Sequence, residues 1–210
     1  MYYKYPRTPH LPWSPGATSD DVWSVAEFEG QSIVVTEKMD GENTTMYRDH
    51  IHARSIDSRH HESRSWVKAM HQRIAHMIPE GWRICGENCF AKHSIGYNDL
   101  PSYFMVFSIW DEHNTCLSWD DMLEWSQLLE LDVVSTLYEG PWDEAGIRNL
   151  SSALDLEKQE GYVVRTRGGF AYEAFSLHLA KWVRANHVTS DKHWMHQQVV
   201  PNGLSGESHG

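Results

Sequence analysis

Short runs of β-branched and aromatic residues, separated by polar turns, recur along this chain and predict strands more often than helices. Gln31 to Glu37, containing SIVVTE, reads as one strand and ENTTMYR (42–48) as the next. Met39, Asp40 and Gly41 join them as a hairpin, because Asp-Gly is a favoured hairpin turn. IHARS (51–55), WRICGEN (82–88), YFMVFSIW (103–110), VVSTLYE (133–139), EGYVVRT (160–166), FAYEAF (170–175) and LAKWVR (179–184) continue the series. The spacing of Trp66, Met70, Ile74 and Met77/Ile78 predicts a helix over 63–78, with Arg64, Lys68 and His71 on another stripe and Pro79 and Gly81 ending it. Further helices are expected from Trp119 to Leu129 and between Asp143 and Leu154. YPRTPHLPWSPG (5–16) carries four prolines and must be extended, since proline fixes φ and restrains the residue before it. Thr18, Ser19, Asp20 and Asp21 read as a helix entry, and the residues after Asn202 as a disordered end. The order of elements implies an α+β fold with antiparallel sheets.

A chain of 210 residues fits one domain, or one domain and a tail, and ten Trp, nine Tyr and six Phe supply a packed core. Its apolar runs are short and broken by charge, and MYYKYPRTPHL lacks the apolar stretch of a signal peptide, so a cytoplasmic protein without a membrane span is expected. Cys85, Cys89 and Cys116 match no zinc or disulfide spacing and are expected to be reduced. The net charge of −11 argues against avid non-specific binding of nucleic acid, yet a localised basic patch remains compatible with it.

Candidate chemistry begins at EKMDGEN (37–43), which sets Lys38 at the end of a strand before Asp40 and Gly41. Lysine is a nucleophile only as the neutral amine, which requires a pKa lowered by desolvation or nearby positive charge. Alone, this segment reads as an ordinary charged hairpin turn, for which Asp-Gly is a good sequence. Four further segments follow it: ICGENCF (84–90), YFMVFSIW (103–110), EGYVVR (160–165) and AKWVR (180–184). Together, and in this order, they resemble the five nucleotidyltransferase motifs of ATP-dependent ligases and mRNA capping enzymes. K-x-D-G resembles the motif around the adenylylated lysine. Within that superfamily the dialect is most similar to RNA ligases of the phage RNA ligase 2 type. The fifth motif departs from the common K-x-K, since its cations, Lys181 and Arg184, stand one residue further apart.

The resemblance implies a nucleotidyltransferase domain over 31–184, of two antiparallel sheets flanked by helices with ATP in the cleft between them. An amino-terminal segment (1–30) and a carboxy-terminal extension (185–210) would flank it, with no room for a separate domain after the fifth motif. It implies an ATP-dependent RNA ligase that forms lysyl-AMP, passes AMP to a 5′-phosphate and seals it to a 3′-hydroxyl. Lys38, Glu160 and Lys181 would be catalytic, and Glu37, Gly41, Asn43, Arg54, Glu87, Phe107 and Arg184 would join them in binding the nucleotide. Phe107 would stack on adenine. Lys181 and Arg184 would stabilise phosphate charge and lower the Lys38 pKa. Glu160 and Glu87 offer hard oxygen ligands suited to Mg²⁺ or Mn²⁺. Arg54, Arg59, Arg64 and Lys68 are the candidates for contact with RNA, or with DNA, strand ends. Two alternatives stay open. One is a related nucleotidyltransferase: a DNA ligase, a capping-type enzyme, or a self-adenylylating protein whose partner supplies substrate specificity. The other is a nucleic-acid-binding module without the chemistry.

Overall fold

The computed structural model describes residues 1–17, 25–185 and 198–206, so the expected helix entry at Thr18 to Asp21 lies outside the described residues. In chain order the elements are β1 (Ser32–Lys38), β2 (Glu42–Tyr47), β3 (Ile51–Ala53), α1 (Ser65–Ile74), β4 (Arg83–Asn88), β5 (Phe104–Trp110), β6 (Thr115–Cys116), α2 (Trp119–Leu128), β7 (Thr136–Pro141), α3 (Glu144–Ala153), β8 (Gly161–Thr166), β9 (Phe170–Ala171), α4 (Phe175–His178) and β10 (Leu179–Val183). They form two antiparallel sheets, one ordered β10-β8-β1-β7 and the other β3-β2-β4-β5-β6-β9.

The expected hairpin between the first two strands does not form. β1 pairs with β7 and β8 in the smaller sheet, whereas β2 pairs with β3 and β4 in the larger one. Ile33, Val34 and Val35 are all buried, so β1 has apolar side chains on both faces and takes a central place with a neighbour on each edge. The link Met39–Asp40–Gly41 carries the chain from one sheet to the other. Its polar groups are held by the loop after β4 rather than by a turn: Asp40 N–H donates to the Tyr97 hydroxyl (2.9 Å), and its carboxylate accepts from Ser94 Oγ and Ile95 N–H (both 2.7 Å).

Two other expectations are corrected by packing. FAYEAF continues as a strand only through Ala171, then winds into a 3-10 turn and α4. Phe170 and Phe175 are an odd number of positions apart and would face opposite ways on a strand. Winding lets both rings meet Trp110 in one buried cluster. The end after Asn202 is not disordered where it is described. Asn202 is buried, its side-chain amide donates to the Cys89 carbonyl (2.7 Å) and its oxygen accepts from Tyr97 N–H (2.9 Å), while Gly203 N–H donates to the Tyr97 carbonyl.

Three cores result. One lies beneath α1 and α2 on the larger sheet, through Met46, Val67, Met70, Ile84 and Ile109. A second covers the outer face of the smaller sheet, where Ile33, Val35, Tyr162, Val164, Ala180 and Trp182 meet Leu11, Phe28 and Ile147. The third joins the sheets, with Leu179 and Val163 meeting Cys85, Trp110 and Phe107. At the registry point Lys38–Gly161–Val183, a Cβ on Gly161 would overlap the Trp182 carbonyl oxygen, so β8 and β10 approach closely there. Gly161→Ala is expected to destabilise the protein by about 1–3 kcal/mol through forced separation of these strands, read as a lower urea midpoint.

Candidate active site

Cross-strand neighbours share a sheet face, so register fixes which side chains look into the space between the sheets. Lys38 lies opposite Gly161, and Val163 lies opposite both Thr36 and Lys181. Val34, Thr36, Lys38, Val163 and Lys181 therefore share the face turned toward the larger sheet. Along β1 that face passes from fully buried Val34 to Lys38, whose side chain is 25% exposed, so the inter-sheet space opens at the lysine. Across the space, Asn43 opposite Glu87 shows that β2 and β4 present both on one face.

Lys38 Nζ donates to Glu160 Oε2 in a partly buried ion pair. Glu87 Oε1 accepts from Gly41 N–H at 3.1 Å, placing its carboxylate beside the same link. Gly41 is close to the β4 backbone, for a Cβ there would come within 2.5 Å of the Asn88 carbonyl oxygen. Three carboxylates, those of Glu160, Glu87 and Asp40, act on one lysine.

The expected lowering of the Lys38 pKa is not found. Desolvation pushes it down, but Glu160, Glu87 and Asp40 together hold the ammonium above its ordinary range. Neighbouring acids outweigh any effect of Lys181 and Arg184. Glu87 is pushed up to about 8, by desolvation first and then by the like charges of Glu160 and Asp40, with Lys38 opposing. Burial also raises Glu37.

The remaining expected residues divide. Phe107 is the extra residue of a bulge: Gly86 pairs with Val106 and Cys85 with Ser108, leaving Phe107 without a direct partner on β4. A bulge re-aims a side chain, and the half-buried Phe107 ring packs in the inter-sheet cluster that also takes Val163. Arg184 is drawn in through its N–H to the Glu160 carbonyl (3.0 Å) and its guanidinium to Ser94 Oγ (3.4 Å) and the Leu156 carbonyl. Arg54 donates to the Pro6 carbonyl (3.4 Å). Asn43 Oδ1 is buried without a partner in the protein. Glu37, one position before Lys38 and expected to help bind the nucleotide, belongs by strand alternation to the opposite face of β1.

Arg64 is not part of a solvent-facing stripe. It is buried and pairs with both oxygens of Glu42, with a third bond to the Arg59 carbonyl, so its donors are engaged within the protein. His71 is buried against the Tyr47 carbonyl (2.6 Å). Arg59 is exposed and Lys68 half-buried, and both line a shallow surface pocket with Thr44, Ile51 and Ser58.

Sequence reasoning missed two residues of the site. Val163 faces the cleft directly opposite Lys181, a position legible only once β8 and β10 are paired. Ser94 links Asp40 to Arg184, and it lies in a loop without a periodic signal. Among the described residues no three His, Cys, Asp or Glu side chains are grouped to hold a metal ion by themselves, and no helix is long and apolar enough to cross a membrane.

Two antiparallel sheets flanked by helices, with Lys38 at their crossing, agree with the fold expected from the five motifs. The RNA ligase family model matches residues 31–183, and this chain belongs to that family. Among solved structures it is similar to an archaeal ATP-dependent RNA ligase (16% identity, TM-score 0.62, 87% of this chain and 48% of that one). It is also similar to the Naegleria gruberi RNA ligase with PPi (21%, 0.54, 75% and 50%) and to a mutant of that ligase with ATP and Mn (16%, 0.58, 88% and 56%). The chain thus spans about half the length of these structures. A search of curated proteins finds no match.

The raised pKa of Glu87 has a measurable consequence for folding. The folded state retains a proton on Glu87 up to about pH 8, whereas the unfolded chain releases it near the ordinary carboxylate value of 4.5. Stability should fall as pH rises between these two values, because the unfolded state then binds fewer protons. Glu87→Gln removes this contribution, and its Tm should decline less than that of the parent between pH 5 and 8, within the window that the cited values bracket.

Proposed function

We propose that this chain is the nucleotidyltransferase domain of an ATP-dependent RNA ligase, extending over 31–184, and that Lys38 takes AMP from ATP. The observation that carries this reading is the convergence of Glu160, Glu87 and Asp40 on Lys38 at the sheet crossing, in a chain of the RNA ligase family. Lys38 Nζ attacks the α-phosphorus. An N–P bond forms, the bond to the pyrophosphate oxygen breaks, and the amine loses its proton. Lys181 and Arg184 stabilise the phosphate charge, and adenine lies between Phe107 of the larger sheet and Val163 of the smaller one.

Glu160 and Glu87 fit a hard divalent cation, since carboxylate oxygens are its preferred ligands and two of them with substrate phosphates are a common set. Burial first, and then the like charges of Glu160 and Asp40, raise the Glu87 pKa, and a cation held there would offset that charge. When bound, such a cation offsets triphosphate charge and orients the leaving group. Glu160 and Glu87, if engaged in this way, would hold the Lys38 ammonium less strongly. The Naegleria mutant solved with ATP and Mn supports ATP with a divalent ion; Mg²⁺ and Mn²⁺ are both compatible with the donor set. Arg54, Arg59 and Lys68 are the proposed contacts for the RNA strand, with Arg64 holding Glu42 rather than phosphate, and the cytoplasm is the proposed location.

Incubation with α-labelled ATP and a divalent ion is expected to leave acid-labile label on the protein. Lys38→Ala and Lys38→Arg abolish it, because neither supplies a neutral amine. Label retained at parental level in Lys38→Ala would refute the reading. Phe107→Ala should weaken ATP use by about 1–3 kcal/mol, seen as a raised KM for labelling. With labelled 5′-phosphate RNA, and DNA as the second arm, Arg59→Ala combined with Lys68→Ala should slow sealing more than self-adenylylation. Its salt dependence should be shallower by about two phosphate contacts.

A further inference from the structure

Residues 2–11 form one extended segment that reaches three parts of the proposed nucleotide site. Along the outer edge of β10, Lys181 N–H donates to the Pro9 carbonyl (2.9 Å) and Leu11 N–H donates to the Lys181 carbonyl (2.8 Å), so the segment grips the backbone of Lys181 on both sides. Ser14 Oγ then accepts from Val183 N–H at 3.0 Å. On the larger sheet, the Pro6 carbonyl accepts from Arg54, and Tyr3 N–H donates to the Tyr47 hydroxyl (2.8 Å). Between these anchors Tyr5 is buried, with its ring 5.1 Å from Phe107 and 5.3 Å from Phe175, both T-shaped. Its hydroxyl is influenced by the side chain of Ser108, the neighbour of Phe107 on β5.

This placement answers a difficulty set by the bulge. Phe107 has no direct partner on β4, so the sheet ladder alone does not determine where its ring sits. Tyr5 supplies the missing contact from outside the sheet, and it lies in the same cluster as Val163. We propose that Tyr5 is a positioning residue for the nucleobase: it closes the inner end of the slot between Phe107 and Val163, and the segment carrying it ties that slot to Lys181. The proposal rests on the ligase reading above and extends it to a part of the chain that the family match, residues 31–183, does not cover. A core aromatic with no such role would contribute to stability and leave nucleotide affinity alone.

The test compares Tyr5→Leu, which keeps apolar volume and removes the ring, with Tyr5→Phe, which keeps the ring and removes only the hydroxyl. For Tyr5→Leu the KM for ATP in self-adenylylation should rise about tenfold, the equivalent of one aromatic contact, with a smaller change in the rate at saturating ATP. Tyr5→Phe should restore the parental KM. The increase in Tm that ATP produces, measured separately from labelling, should shrink in Tyr5→Leu and return in Tyr5→Phe. A lower Tm for Tyr5→Leu with parental KM and parental ATP-induced shift would return Tyr5 to the core and overturn the proposal while the ligase reading stands. A parent protein that neither labels on Lys38 nor gains Tm with ATP would overturn both. Should Tyr5→Leu fail to fold, Tyr5→Trp is the second ring-altering variant, and a parental KM in it would likewise count against a shaped slot.

Discussion

The ion pair between Lys38 and Glu160 depends on a single register. Lys38 ends β1 opposite Gly161, and Glu160 is the residue just before that strand partner, so the two charged groups meet wherever β1 and β8 pair in this alignment. A shift of one residue would send Lys38 to the outer face, among the side chains that bury Tyr162 and Trp182. The apolar residues Val34, Val35 and Val164 hold the register, and the close approach at Gly161 brings β10 and Lys181 to the same level. The chemistry at the end of β1 is thus a consequence of packing in its middle.

Charge distribution follows the same division. The protein is acidic overall, at −11, and acids also surround the one lysine proposed to act as nucleophile. That environment keeps the lysine protonated, so its reactivity depends on what engages the glutamates rather than on a permanently neutral amine. Arginine is used structurally as well as electrostatically: Arg64 neutralises Glu42, and Arg165 is buried between Trp119 and Phe170, donating to the Leu117 carbonyl. A buried guanidinium with its donors engaged contributes little to an external basic field, which leaves Arg54, Arg59 and Lys68 as the members of the patch that are not buried.

Most elements were legible from pattern. Because apolar periodicity reports which face is buried, β2, β3, β4, β5, β8 and β10, and the helices α1, α2 and α3, fall within the runs expected of them, and β1 runs one residue past its own, to Lys38. The five motifs also single out Lys38, Glu160 and Glu87, which the fold brings together at the end of β1. Partner choice was not legible. Asp-Gly after β1 is compatible with a hairpin or with a crossing between sheets, and only the carboxylate contacts to Ser94 and Ile95, more than fifty residues away, distinguish them. The stripe Arg64–Lys68–His71 had helical spacing, yet spacing does not show that Glu42 and the Tyr47 carbonyl wait on a neighbouring strand.

What the sequence by itself determined is local: where strands and helices run, which lysine stands at a strand end, and which ordered set of motifs surrounds it. These depend on residues near one another along the chain, where propensity and alternation act. The tertiary structure alone decided which sheet each strand joins, which way Phe107 points, that the Lys38 pKa is raised rather than lowered, and that residues 2–11 and Asn202 close over the domain. Each of these depends on the field, volume or hydrogen-bond partner supplied by a residue distant in sequence, and such partners become neighbours only when the chain is folded.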